Sequence, residues 1–131
     1  MIKKQLSELI RLATIDNNLD ARELELITKI GTVNGLNEDE IHDLIGKPHP
    51  LENVDTLTDD EKFEYLYHVV QLMKVDRQVF KSEIVFCQRL ASKLGYKEGV
   101  IAKLSQRIYS DPTITADRDD LKREAQKFLM D

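Results

Sequence analysis

At 131 residues, with 41% hydrophobic and 33% charged side chains, the chain fits one domain and excludes wholesale disorder. Five glycines and three prolines exclude long flexible linkers and fibrous repeats. A single cysteine, Cys87, excludes a disulfide framework and a multi-cysteine zinc site, and a net charge of −5 argues against general nucleic-acid binding.

Apolar residues recur at helical spacing almost throughout. Ile2, Leu6, Leu9, Ile10 and Ala13 make one face of a first predicted helix. A second begins near Asp20, where Asp20-x-x-Glu23 reads as a capping box, and runs through Leu24, Ile27, Ile30 and Val33 to Asn34-Gly35. A third follows Asn37-Glu-Asp-Glu40 with Ile41, Leu44 and Ile45 inward, and the segment Lys47-Pro-His-Pro50 opens a connection to about Leu57. Thr58-Asp-Asp-Glu61 caps a fourth helix carrying Phe63, Leu66, Val69, Val70 and Met73. A fifth is expected from about Lys81 to Leu94, ended by Gly95. A sixth carries Val100, Ile101, Leu104 and Ile108, and a last amphipathic helix spans about 117–130. No segment alternates with period two. The expected fold is therefore all-α, a compact single domain over 1–131 with about seven helices. Glu8 and Arg11 interrupt the apolar run of the basic N-terminal segment, so it does not read as a signal peptide, and no apolar stretch is long enough to span a membrane. The expected location is the cytoplasm.

The chain also resembles itself. At an offset of 60 without gaps, Leu6, Leu12, Asp16, Glu23, Gly35, Glu38, Ile41 and Leu44 meet identical residues at 66, 72, 76, 83, 95, 98, 101 and 104. These are eight identities over 39 positions, where chance gives about two or three. Amphipathic helices alone would align apolar positions, but they would not bring Asp, Glu and Gly into one frame. The spacing predicts a duplicated three-helix unit, with copies at about 6–45 and 66–105. The copies differ in charge. Residues 16–45 hold eight acids and two bases, net −6; residues 76–105 hold three acids and six bases, net +3. Such polarity could serve docking between the halves, head-to-tail self-association into a homo-oligomer, or two partners of opposite charge.

The repeated element stands as Ile15-Asp16-Asn17-Asn18-Leu19-Asp20-Ala21-Arg22-Glu23 and again as Val75-Asp76-Arg77-Gln78-Val79-Phe80-Lys81-Ser82-Glu83. It resembles the doubled Ala-Asp-Gly-x-aliphatic-x-x-x-Glu element of the TerB-like (tellurite-resistance protein B) family. Gly35-Leu36 and Gly95-Tyr96 stand where that family has its Gly-aliphatic turns. The resemblance covers roughly 6–108, with Ile15 and Val75 in place of the family's Ala, and Asn17 and Arg77 in place of its Gly. It implies a helical domain without catalytic activity, with protein partners, in a tellurite- or stress-response or envelope-associated complex. It also implies clustered acids that bind divalent cations.

Asp16, Asp20 and Glu23 are the candidate metal ligands, because carboxylates suit hard cations such as calcium or magnesium. An EF-hand starting at Asp16 fails, with Ala21, Leu24 and Ile27 at its sixth, ninth and twelfth positions. The competing reading makes Asp16 an Asx-turn residue and Asp20 and Glu23 helix caps. In the second copy the corresponding candidates are Asp76 and Glu83, but Lys74 and Arg77 flank Asp76 and Phe80 replaces Asp20. His42, His49 and His68 are scattered, and Glu64 and His68, one turn apart, read as an exposed pair. Cys87 falls on the stripe of Ile84, Leu90 and Ala91 and reads as a small core residue. No phosphate loop, nucleophile elbow or zinc-helix motif is present, so no enzyme is expected.

Overall fold

Eight helices appear in the computed structural model, which describes residues 2–14, 21–46, 57–108 and 117–129. They are α1 (Ile2–Ala13), α2 (Ala21–Val33), α3 (Glu38–Gly46), α4 (Asp59–Met73), α5 (Arg77–Ser82), α6 (Ile84–Lys93), α7 (Val100–Leu104) and α8 (Arg118–Gln126). There is no strand among the described residues; a single antiparallel bridge joins Tyr96 to Leu129. The all-α expectation holds. The expected fifth helix is two, broken at Glu83, whose φ of −115° and ψ of 24° leave the helical range. The sixth is also shorter than its apolar spacing suggested, ending at Leu104.

The caps explain several boundaries. Thr58 Oγ1 accepts from the Glu61 backbone N–H at 3.2 Å while Glu61 Oε1 accepts from that of Thr58 at 3.1 Å, starting α4. Asn37 and Glu40 form the same reciprocal pair ahead of α3, at 2.8 and 3.2 Å. Each arrangement satisfies donors that a first helical turn leaves free. Asp117 caps α8 by accepting from the Asp120 N–H at 3.1 Å.

α1 and α4 are the central pair, with the most extensive contact in the fold. Leu6, Leu9 and Leu12 of α1 and Leu66, Val70 and Met73 of α4 are essentially inaccessible to solvent. Fully burying such side chains stabilises by about 1.5–3 kcal/mol each before entropy is counted. The other helices pack around this pair, α3 on α1, α6 on α1 and α4, α7 on α6, and α8 across α4 and α7. α2 and α3 approach closely at Gly31, where a Cβ would stand 2.7 Å from Ile41 Cδ1 and 3.2 Å from Leu6 Cδ2. Ion pairs hold α8 in place. Arg107 binds Asp120 at 2.6 Å, Arg118 binds Glu64 at 2.6 Å, and Lys122 binds Asp60. The Arg107 hydrogen bond and charge hold the Asp120 carboxyl below the usual carboxylate range, and Lys3, tying α1 to α3, does the same for Glu40.

The two halves share local geometry in register. α2 and α6 end at positions 33 and 93, and each is followed by a glycine in the left-handed region, Gly35 at φ 91° and Gly95 at φ 96°. The closing hydrogen bonds correspond bond for bond. Gly35 N donates to Thr32 O and Leu36 N to Gly31 O; Gly95 N donates to Ser92 O and Tyr96 N to Ala91 O. This is the Schellman closure, which satisfies the last helical carbonyls and requires positive φ. A Cβ at either glycine would meet nothing within 4 Å, so only backbone strain opposes alanine there. Gly35→Ala and Gly95→Ala should therefore each cost about 1–2 kcal/mol. Urea unfolding of both variants checks this, with near-equal losses expected.

Candidate functional site

Two of the five candidate metal ligands, Asp16 and Asp20, lie outside the described residues. Glu23, in the first turn of α2, is half-buried with its Oε2 shielded from solvent. It lines a cavity of about 280 Å³ together with Phe86, Arg89, Leu90, Ser92 and Lys93 of α6. Two cations in its lining repel a divalent ion at that spot.

Asp76 Oδ1 accepts from the Gln78 backbone N–H at 2.9 Å, and its carbonyl accepts from that of Phe80 at 3.0 Å. This is the Asx-turn role at the start of α5. Arg77, standing where the family element has glycine, is the first residue of that helix, so no left-handed conformation is demanded of it. Glu83 occupies the α5–α6 junction without a side-chain capping bond. Among the described residues no group of three or more His, Cys, Asp and Glu comes together as a metal site.

His68 differs from its expected exposed pairing. Its ring is only 21% exposed, and Nδ1 lies 2.8 Å from Glu8 Oε2 on α1, while Nε2 faces Glu64 at 3.5 Å. The Glu64 carboxylate is also bound by Arg118, whose guanidinium lies 4.4 Å from the centre of the Tyr67 ring. Glu8, buried at the α1–α4 contact, was not singled out as a site residue by its type or local spacing. One signal points to it: at the repeat offset of 60, Glu8 corresponds to His68. Beside them Gln5 Nε2 donates to Gln71 Oε1 at 2.9 Å across the same contact.

Cys87 is fully buried on α6, and burial pushes its thiol up to about 12. The thiolate is the nucleophile, so this thiol is inert at neutral pH. A thiol reagent added in excess to folded protein should label Cys87 only as fast as the chain opens, and rapidly in denaturant. Rapid native labelling would contradict the packing.

Glu38, Asp39 and Asp43 are exposed on α3; Arg77, Lys81, Arg89, Lys97 and Lys103 are exposed on and around α5–α7, with Glu98 among them; α2 exposes Arg22 and Lys29 beside Glu25. Between α6 and α7 opens a second cavity of about 260 Å³ whose lining includes Val85, Arg89, Tyr96, Lys97 and Ile101. Comparison with family models, with curated proteins and with solved structures finds no match to this chain. Among the described residues no helix is long and apolar enough to cross a membrane.

Proposed function

We propose that the chain is a non-enzymatic helical interaction domain of the TerB-like type that selects protein partners by charge. The single observation that carries this reading is the reversal of charge between two units of similar local build. Solvated helix faces ordinarily mix their charges. Here exposed acids gather on α3, at Glu38, Asp39 and Asp43, and exposed bases on α5, α6 and the segment around α7, while α2 exposes Arg22 and Lys29 beside Glu25. The fields of two such faces steer partners of opposite sign.

Duplication of one three-helix unit is part of the proposal. Its support is the ungapped frame of eight identities together with the matched helix ends, left-handed glycines and closing hydrogen bonds. Buried positions also correspond, among them Leu6 with Leu66, Ile30 with Leu90 and Ile41 with Ile101. A cytoplasmic tellurite- or stress-response or envelope-associated complex is the setting that the family resemblance suggests.

The test is affinity capture with the tagged chain in dilute and in concentrated salt. Two variants accompany it, Arg77→Glu with Lys81→Glu, and Glu38→Lys with Asp43→Lys. A captured protein lost in salt and lost with one of the two variants supports the reading. Capture that ignores salt and both variants sinks it, because exposed charge attraction is screened over roughly 8–10 Å.

A further inference from the structure

α8 lies outside the repeated frame and fills a seam inside the second unit. In the first unit α3 packs directly on α1; in the second, α7 makes at most marginal contact with α4, and α8 lies across both. The seat is specific. Asp60 and Glu64, one turn apart on α4, bind Lys122 and Arg118, one turn apart on α8, so the two helices run antiparallel. The Arg118 guanidinium also stands 4.4 Å from the centre of the Tyr67 ring. From the other side Arg107 binds Asp120, and the Lys97 backbone N–H donates to Phe128 O. Glu64, Tyr67 and Lys97 stand where the first unit has Lys4, Ser7 and Asn37, so these contacts are not repeated there.

α8 itself has little in the core. Six of its nine residues are charged, and only Leu121 and Ala125 are buried. The side chains that tie it to α4 keep between 32% and 70% exposure, and exposed ion pairs contribute little each. An element with so few buried apolar contacts opens more readily than the domain unfolds.

We propose that the α4–α7 seam is a helix-docking site and that its occupant from outside the chain is α8 of a second copy. Opening leaves a free helix and an empty seat on each of two molecules, and reciprocal exchange rebuilds every contact of α8 in the other chain's seam. Such an exchange is symmetric and closes at two chains. Residues 109–116 tie α8 to Ile108, and so short a tether keeps it beside its own seam at an effective concentration in the millimolar range. Exchange therefore sets in as the protein nears about 1 mM. It does not depend on the charge reversal between the units, so either reading can fail without the other.

Sedimentation velocity on the full chain reads the exchange. Wild type should be monomeric at about 0.1 mM and show a dimer near 1 mM. Two variants sharpen the test at the lower concentration. Asp60→Lys with Glu64→Lys reverses the seam, and Arg118→Glu with Lys122→Glu reverses the helix, so in either variant α8 meets like charge in its own chain. Each alone should stay monomeric, with α8 amides exchanging hydrogen at least about tenfold faster than in wild type. Mixed in equal amounts they should form a one-to-one dimer, because each helix then finds a seam of opposite charge. Net charge does not drive that pairing: the substitutions shift the chain's −5 to −1 and −9, and both variants stay negative. All four substitutions in one chain should restore the monomer and the protection of α8. A wild type that is still monomeric near 1 mM overturns the proposal. So does a mixture that stays monomeric, or a fourfold variant whose α8 stays unprotected. Equal dimerisation by Glu25→Lys with Asp39→Lys mixed with Lys4→Glu with Lys29→Glu, all exposed sites away from the seam, overturns it as well.

Discussion

Replacing Lys74 by Met should cost about 2–3 kcal/mol in urea or thermal unfolding. Lys74 follows α4, and its Nζ donates to the backbone carbonyls of Ser105 and Ile108, where the chain leaves α7. Ser105 and Ile108 are buried, at 8% and 0% exposure, so water reaches these carbonyls poorly. A hydrogen bond from a charged donor contributes about 1.5–3 kcal/mol, and two of them would approach twice that. Burial, and next to it the charge of Arg77, pushes the Lys74 amine below the usual lysine range, so desolvation offsets part of the gain. The net therefore falls near the value for one bond. Methionine keeps the apolar stem and removes only the donor. Lys93 provides a comparison, because its Nζ also donates to a backbone carbonyl, Ala13 O, at 2.9 Å at the end of α1. Lys93→Met should likewise lose about 1.5–3 kcal/mol. A Lys74→Met variant within about 0.5 kcal/mol of wild type would mean that water replaces the ammonium, since unexceptional surface changes fall in that range.

The end of α7 shows which parts of the fold could be read from the sequence. Its apolar spacing continues to Ile108, but the helix stops at Leu104. Carbonyls at 105 and 108 go instead to a lysine more than thirty residues earlier, and no local pattern encodes that. The break at Glu83 is similar. Neither Gly nor Pro marks it, and Ile84, Cys87, Leu90 and Ala91 continue in helical phase beyond it. Where a boundary rests on contacts within one turn, the reading succeeded. Asn37 with Glu40 and Thr58 with Glu61 are capping pairs three residues apart, and both start their helices as the spacing predicts. The left-handed glycines at 35 and 95 belong to the same class of local signals.

The candidate site was less legible, for a physical reason. A carboxylate near a helix start looks the same whether it binds an ion, closes a turn or meets a cation from another helix. Asp76 closes a turn, and Glu23 faces the cavity lined by Arg89 and Lys93. The first neighbour could be guessed from spacing; the second depended on how α2 meets α6.

Glu8 and His68 provide the last expected result. In His68→Leu the Glu8 carboxylate, 11% exposed, loses the imidazole 2.8 Å away and stays at the α1–α4 contact. Leaving a buried polar group without its hydrogen-bond partner costs about 1–3 kcal/mol, and more for a carboxylate, so the expected loss is about 2–3 kcal/mol. In Glu8→Leu with His68→Leu both polar groups go, and two apolar side chains face each other across the helices that form the centre of the core. That double variant should lie within about 1 kcal/mol of wild type, since replacing such a pair by well-packed apolar residues is often neutral or stabilising. The four corners of a double-mutant cycle, read by urea unfolding at neutral pH, separate the two cases. A coupling of about 1–2 kcal/mol is the expected outcome. A double variant as unstable as the sum of its singles would mean that the two side chains act through packing alone. The pair also bears on the proposed duplication. Glu8 and His68 stand 60 residues apart, at equal positions of the repeat frame, and they meet. If the two units are copies of one, this contact lies at the axis that relates them, because equal positions of two facing copies meet only there.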